Sequence, residues 1–157
     1  MPRALVVTVS DRSSRGERSD TNGPLLASLL AGLGLEAGDV VVVPDEVEAV
    51  QGALRDAVAA SYDLVLTTGG TGLAPRDVTP EATRPLLERE APGLAEALRR
   101  VAGAPATAVL SRGVAGTIGR MLVVNLPGSA GGVRDGIAVL APVLDHALAQ
   151  LAGGGEH

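Results

Sequence analysis

Two aspartates and a run of glycines are the groups in this chain best suited to chemistry. Asp77 sits in Ala74-Pro-Arg-Asp-Val-Thr-Pro80, just after Thr68-Gly-Gly-Thr-Gly72, and Asp45 sits in Val43-Pro-Asp-Glu46. Three glycines in four positions strip side chains from Gly69, Gly70 and Gly72, so backbone N–H groups can approach an anion, and Thr68 and Thr71 add hydroxyl donors. The run lacks the Lys of a Walker loop and the spacing of the dinucleotide fingerprint. It reads equally well as a turn that the fold needs for tight packing. Arg76 can hold a phosphate, and Asp77 can hold Mg²⁺ or accept a proton. Asp45 reads in two compatible ways. With Glu48 it makes a helix-capping pattern, and its other oxygen stays free to face Asp77. Two carboxylates facing a phosphate-rich ligand need a divalent cation between them, because bare like charges repel. Asn125-Leu-Pro-Gly-Ser129 offers Gly128 and Ser129 as donors at a helix start, with ordinary turn chemistry as the alternative. Ser111-Arg112 adds a hydroxyl and a cation, and His146 reads as a surface residue.

Composition removes whole classes of chemistry. All 13 basic residues are Arg, against 18 acidic residues, for a net charge of −5; there is no Cys, and Tyr62 is the sole aromatic. Without Lys there is no Schiff base, and without Cys there is no disulfide, thiolate nucleophile or Cys-type zinc site. The acidic balance and the lack of stacking aromatics argue against a nucleic-acid partner. The longest uncharged stretch, Thr21–Leu35, is shorter than the roughly 18 residues of a spanning helix and contains Pro24. The apolar run at Ala4–Val9 is too short for a signal peptide. The expectation is a cytoplasmic protein with no membrane partner. Carboxylates, Arg, hydroxyls and backbone N–H groups remain to do the work.

The elements that must position these residues follow from apolar patterning. Ala4–Val9, Asp39–Val43, Asp63–Thr68 and Met121–Asn125 read as strands, the first two buried on both faces. Helices are expected over Leu25–Leu35, closed by Gly34; from Asp45, with Val47, Val50, Leu54 and Val58 on one face; from Thr79-Pro80 to about Glu90; over Gly93–Val101; and up to about Leu151, with Pro142 kinking or dividing the last. Ser10–Asp20 reads as a loop and Ala108–Gly119 as a small hairpin. Strands alternating with helices predict a single doubly wound α/β domain over residues 1–152, with a mostly parallel sheet, helices on both faces and a disordered tail from 153 to 157. In such sheets ligands bind beyond the carboxyl ends of the strands. That rule selects Ser10–Asp11, Pro44–Asp45, Thr68–Asp77 and Asn125–Ser129.

These motifs together resemble one family. Thr67-Thr-Gly-Gly-Thr-Gly-Leu-Ala-Pro-Arg-Asp-Val-Thr-Pro-Glu-Ala-Thr83 resembles the signature of the molybdenum cofactor biosynthesis proteins, the MogA/MoaB family and the G domain of gephyrin. The resemblance extends through Val9-Ser-Asp-Arg12, Val43-Pro-Asp-Glu46, Arg89-Glu-Ala-Pro-Gly93, Leu110-Ser-Arg112 and Asn125-Leu-Pro-Gly-Ser129. It implies molybdopterin adenylyltransfer, in which molybdopterin and Mg-ATP give adenylylated molybdopterin and pyrophosphate. It places the two essential aspartates on Asp45 and Asp77, which would also hold Mg²⁺. It places cofactor-binding positions on Ser10, Thr68, Gly69, Gly70, Thr71, Gly72, Arg76, Ser111, Asn125, Pro127, Gly128 and Ser129. It further implies a homotrimer or hexamer and hand-over of the product to a molybdate-insertion enzyme. The competing readings are a non-catalytic molybdopterin-binding MoaB-like protein, a scaffold module and a nucleotide-binding regulator.

Overall fold

The structure, a computed structural model, describes residues 1–154. Six strands form one sheet in the order β2-β1-β3-β6-β5-β4, with β1 at Arg3–Val9, β2 at Glu36–Val43, β3 at Leu64–Thr68, β4 at Arg89–Glu90, β5 at Ala115–Ile118 and β6 at Met121–Leu126. β2, β1, β3 and β6 run parallel; β5 and β4 are added antiparallel. Alternate residues of the central strands feed two apolar cores, as the period of a strand requires. Ala4, Val6, Leu64, Leu66, Leu122 and Val124 pack under α2 (Asn22–Gly32) and α6 (Ala130–Leu151). Leu5, Val7, Val65 and Val123 pack under α3 (Val47–Ala59) and the short α4 (Thr79–Thr83). The doubly wound, mostly parallel α/β expectation therefore holds. The chain leaves β1 toward β2 on one side and toward β3 on the other, so the crevice expected of such a fold opens between the carboxyl ends of β1 and β3.

Several local expectations change. Asp39–Val43 is not a strand buried on both faces: β2 is the sheet edge, with Val41 and Val42 more than a third exposed. A Val run specifies a strand, but only the order of strands decides whether it has one neighbour or two. The Ser10–Asp20 segment contains a one-turn helix, α1 (Asp11–Ser14), capped by the Ser10 hydroxyl accepting from Ser13 N–H. The helix at Thr79 ends at Thr83; Arg84 keeps helical dihedrals, but Pro85 has no N–H to carry the α-helical ladder on to Glu81 O. A 3₁₀ turn and β4 follow where helix was expected to Glu90. Helix α5 spans Pro92–Arg99, and a second 3₁₀ turn spans Ala106–Leu110. The hairpin expected within Ala108–Gly119 pairs β5 with β6 instead, turning at Gly119, whose φ is +58°.

Pro142 does not divide α6, which runs unbroken from Ala130 to Leu151. The proline lies on the solvent side, while Ile137, Leu140, Leu144 and Leu148 hold the helix to the core. Gly153 and Gly154 close it: Gly153 adopts φ +88° and donates to Gln150, and Gly154 donates to Ala149. That is a Schellman motif, so the tail expected from 153 begins as an ordered cap. The rest of that tail, residues 155–157, lies outside the described residues. Gly34 closes α2 in the same way at φ +89°, as its sequence position predicts. No helix among the described residues is long and apolar enough to cross a membrane.

Candidate functional site

The glycine run crosses the ends of three strands. Gly69 N–H donates to Leu126 O at the end of β6, and a Cβ at Gly69 would collide with the Val9 carbonyl at the end of β1. Gly69 and Gly70 adopt φ of +100° and +70°, so both space and dihedral angle demand glycine. The loop is tied from below. Thr79 Oγ1 donates to Gly69 O, and Thr79 N–H donates to Gly70 O. Thr79 is thus a buried brace at the first position of α4, with Val78 preceding the helix.

Both aspartates lie against this loop. A Cβ on Gly70 would come within 3.1 Å of Asp45 Oδ1, and one on Gly72 within 2.8 Å of Asp77 Oδ2. Asp77 Oδ2 accepts from Ala74 N–H at 3.0 Å. Asp45 does not cap α3; Glu46 occupies that position and makes no side-chain cap bond. The carboxylate is instead taken by the neighbouring strand end: Asp45 Oδ2 accepts from Asp11 N–H at 2.8 Å, and Asp45 N–H donates to Asp11 Oδ1 at 3.0 Å. Arg76 then grips Asp11 with two bonds of 2.9 Å. Burial of the Asp45 carboxyl, with the charges of Asp11 and Asp77 beside it, pushes it above the ordinary carboxylate value, while Asp11 N–H and Arg76 pull it down. Asp11 moves the other way, held low by its bonds to Arg76.

The structure brings most of the residues singled out in the sequence to one cleft with two arms. The larger arm, of about 490 Å³, is lined by Gly70, Thr71, Gly72, Asp77, Ser111, Asn125, Pro127, Gly128 and Ser129 among others. The smaller, of about 220 Å³, is lined by Ser10, Asp45, Thr68, Gly69, Gly70, Asp77 and Gly128 among others. Gly70, Asp77 and Gly128 belong to both.

Many of the polar groups in this set are already engaged within the protein. Thr68 Oγ1 donates to Pro127 O, and Ser129 Oγ caps α6 by accepting from Gly132 N–H. Asn125 is buried; its amide donates to Thr67 and Thr83 and accepts from Val114 N–H. Arg112 staples the glycine loop, donating to Gly72 O, Asp77 O and Glu81. Neither Arg76 nor Arg112 lines either arm.

Sequence reading passed over Asp11 as a site residue, although it lies in a flagged loop. It also passed over Arg18, Ser13 and Asn22 of the smaller arm, and Arg99 and Asp135 of the larger. Asp135 sits within a regular helix and carries no local signal.

Among the described residues no cluster of three or more His, Cys, Asp or Glu could hold a metal. Asp45 and Asp77 each have one oxygen held by a backbone N–H and one without a donor among the described residues. Two such carboxylates suit Mg²⁺ that arrives with a phosphate ligand, because that ion is commonly shared between one or two carboxylates and substrate oxygens.

Comparison with known proteins gives consistent matches. Residues 5–146 match the family model described as "Probable molybdopterin binding domain". The molybdenum cofactor biosynthesis protein B of Bacillus cereus is 39% identical over 158 residues, covering 95% of this chain and 90% of that protein. The molybdenum cofactor biosynthesis bifunctional protein of Synechococcus elongatus is 41% identical, covering 96% of this chain and 47% of that protein. The chain thus spans about half the length of that bifunctional relative. The crystal structure of the molybdopterin biosynthesis enzyme MoaB from Thermus thermophilus superimposes with a TM-score of 0.91 at 50% identity, over 98% of each chain.

Proposed function

The chain belongs to the molybdenum cofactor biosynthesis family of MogA and MoaB, and from that premise we propose that it adenylylates molybdopterin, using Mg-ATP and releasing pyrophosphate. The observation that carries this reading is the two-armed cleft meeting at Gly70, Asp77 and Gly128. A carrier needs room for one ligand. A transferase must seat two and bring their reacting phosphates to a common point. Here the common point carries Asp77 and a glycine cradle, with Asp45 lining the smaller arm beside it. In this reading the pterin occupies the larger arm and the nucleotide phosphates the smaller.

The terminal phosphate oxygen of molybdopterin attacks the α-phosphorus of ATP, the α–β bridging bond breaks, and pyrophosphate carries away the electron pair. No covalent enzyme intermediate is required, so a site without Lys, Cys or a catalytic His suffices. In this reading the N–H groups of Gly70, Thr71 and Gly72 face the phosphates, Gly69 N–H being spent on Leu126 O, and the reciprocal Asp11–Asp45 bonds hold Asp45 in place. Mg²⁺ held by Asp45 and Asp77 would neutralise phosphate charge. As the family resemblance implies, the working form is a homotrimer or hexamer that passes its product to a molybdate-insertion enzyme in the cytoplasm; light scattering tests the assembly.

A non-catalytic molybdopterin-binding role is the second reading. The internal pairing of Arg76 and Arg112 favours it, since neither cation is left free for phosphates. Pyrophosphate release separates the two. Purified protein with molybdopterin and Mg-ATP should release pyrophosphate and form the adenylylated product. Pterin binding without release would leave only the carrier.

A further inference from the structure

Asp135 lies in the second turn of α6 and lines the larger arm together with Gly131 and Gly132. Gly131 and Asp135, four residues apart, share a helix face. A Cβ built on Gly131 would meet nothing, so the space beside Asp135 is open. Three charged side chains line this arm: Asp77, Arg99 and Asp135. Two of them are committed, Asp77 to Ala74 N–H and Arg99 to the carbonyls of Ser111 and Gly113. Asp135 is half-buried and, among the described residues, has neither a hydrogen bond nor an ion pair. A carboxylate with no protein partner that faces a cavity keeps both oxygens available to a ligand's donors.

We propose that Asp135 reads the 2-amino-4-oxo edge of the pterin ring, accepting one hydrogen bond from ring N3–H and a second from the exocyclic 2-amino group. This rests on the reading above that the larger arm holds a pterin. An ionised carboxylate is acceptor-only and has two oxygens, so it complements two adjacent donors. Adenine presents one amino donor flanked by acceptor nitrogens, so the same carboxylate also disfavours the nucleotide base in this arm. The rest of the arm discriminates little. Leu73, Leu98 and Leu110 can enclose a flat ring without reading its edge, and the chain's sole aromatic, Tyr62, is engaged elsewhere with Asp39 and Arg3.

The test compares pterin-6-carboxylate with lumazine-6-carboxylate, which replaces the 2-amino donor with an acceptor oxygen. Equilibrium binding to the full chain is measured for wild type, Asp135→Asn and Asp135→Glu, with thermal unfolding of each variant, and steady-state AMP transfer is measured alongside. Wild type should prefer the pterin on the order of tenfold to a hundredfold. Asp135→Asn, with one donor and one acceptor, should erase or reverse that preference, raise KM for molybdopterin and leave KM for ATP unchanged. Asp135→Glu should retain the preference. An unchanged pterin-to-lumazine ratio in a folded Asp135→Asn variant overturns the inference while wild-type AMP transfer keeps the proposed function standing. A wild type that neither binds the pterin nor transfers AMP overturns both.

Discussion

The two arms of the cleft handle polar groups in opposite ways. In the smaller arm, at the ends of β1 and β2, Asp45 is fixed from behind: reciprocal backbone bonds tie it to Asp11, and Arg76, which lies outside the arm, grips Asp11 through two more. The larger arm, between α5 and α6, is lined by Leu73, Leu98 and Leu110 together with Asp135, which has no partner among the described residues. A self-bonded arrangement keeps its geometry before ligand arrives, which suits groups that must position phosphates. An acceptor with no protein partner suits recognition, because both of its oxygens are free to pair with a matching ligand. The difference separates a positioning arm from a reading arm, and Asp77 sits where they meet.

The largest expected effect breaks that junction. Asp77→Ala should lower kcat for AMP transfer by about 10³-fold, the scale seen when a charge-stabilising group is removed, with molybdopterin binding largely retained. Stopped-flow pyrophosphate release and pterin binding check both halves, and wild-type turnover in the variant would sink the assigned role. A smaller effect isolates the positioning arm. Arg76→Ala should lower kcat roughly tenfold by loosening Asp11 and through it Asp45, without changing pterin affinity. Arg76 lowers the pKa of both carboxyls, so its loss raises them, and the acid limb of the pH–rate profile should move to higher pH. An acid limb that stays in place would show that Arg76 does not act through these carboxyls. The smallest effect lies outside both arms. Ser61 caps α3 at φ +61°, before the start of β3 and so at the sheet end opposite the cleft. Ser61→Gly should stabilise the fold by about 0.5–1 kcal/mol in denaturant unfolding and leave both KM values unchanged.

How far the sequence reveals this molecule depends on the range of the interaction. β1, β3 and β6 are legible because continuous Val and Leu runs specify strands shielded on both faces, and all three are buried throughout or nearly so. The Asp39–Val43 run carries the same local signal, yet β2 is exposed, because its place at the sheet edge is a property of strand order. Gly69 and Gly70 are legible as a loop needing glycine, while their role in packing over the Val9 carbonyl and the Thr79 brace required the assembled sheet. Asn125 reads as a ligand donor in its motif; in the fold its amide is spent on Thr67, Thr83 and Val114.

By itself the sequence determined the chemical alphabet and the loops in which it is written: carboxylates, arginines and glycines, with no Lys or Cys, placed after strands of an α/β sheet. Tertiary structure alone decided which of those groups remain available to a ligand. Asp11 meets Asp45 across 34 residues and Arg76 across 65, and Arg112 reaches back 40 residues to Gly72. Partners that far apart compete with local options such as a helix cap, and the competition is settled only when the strand ends converge. Asp45 left its expected cap for Asp11 N–H, Arg76 and Arg112 became braces, and Asp135, of the three charges in its arm, stayed unpaired among the described residues.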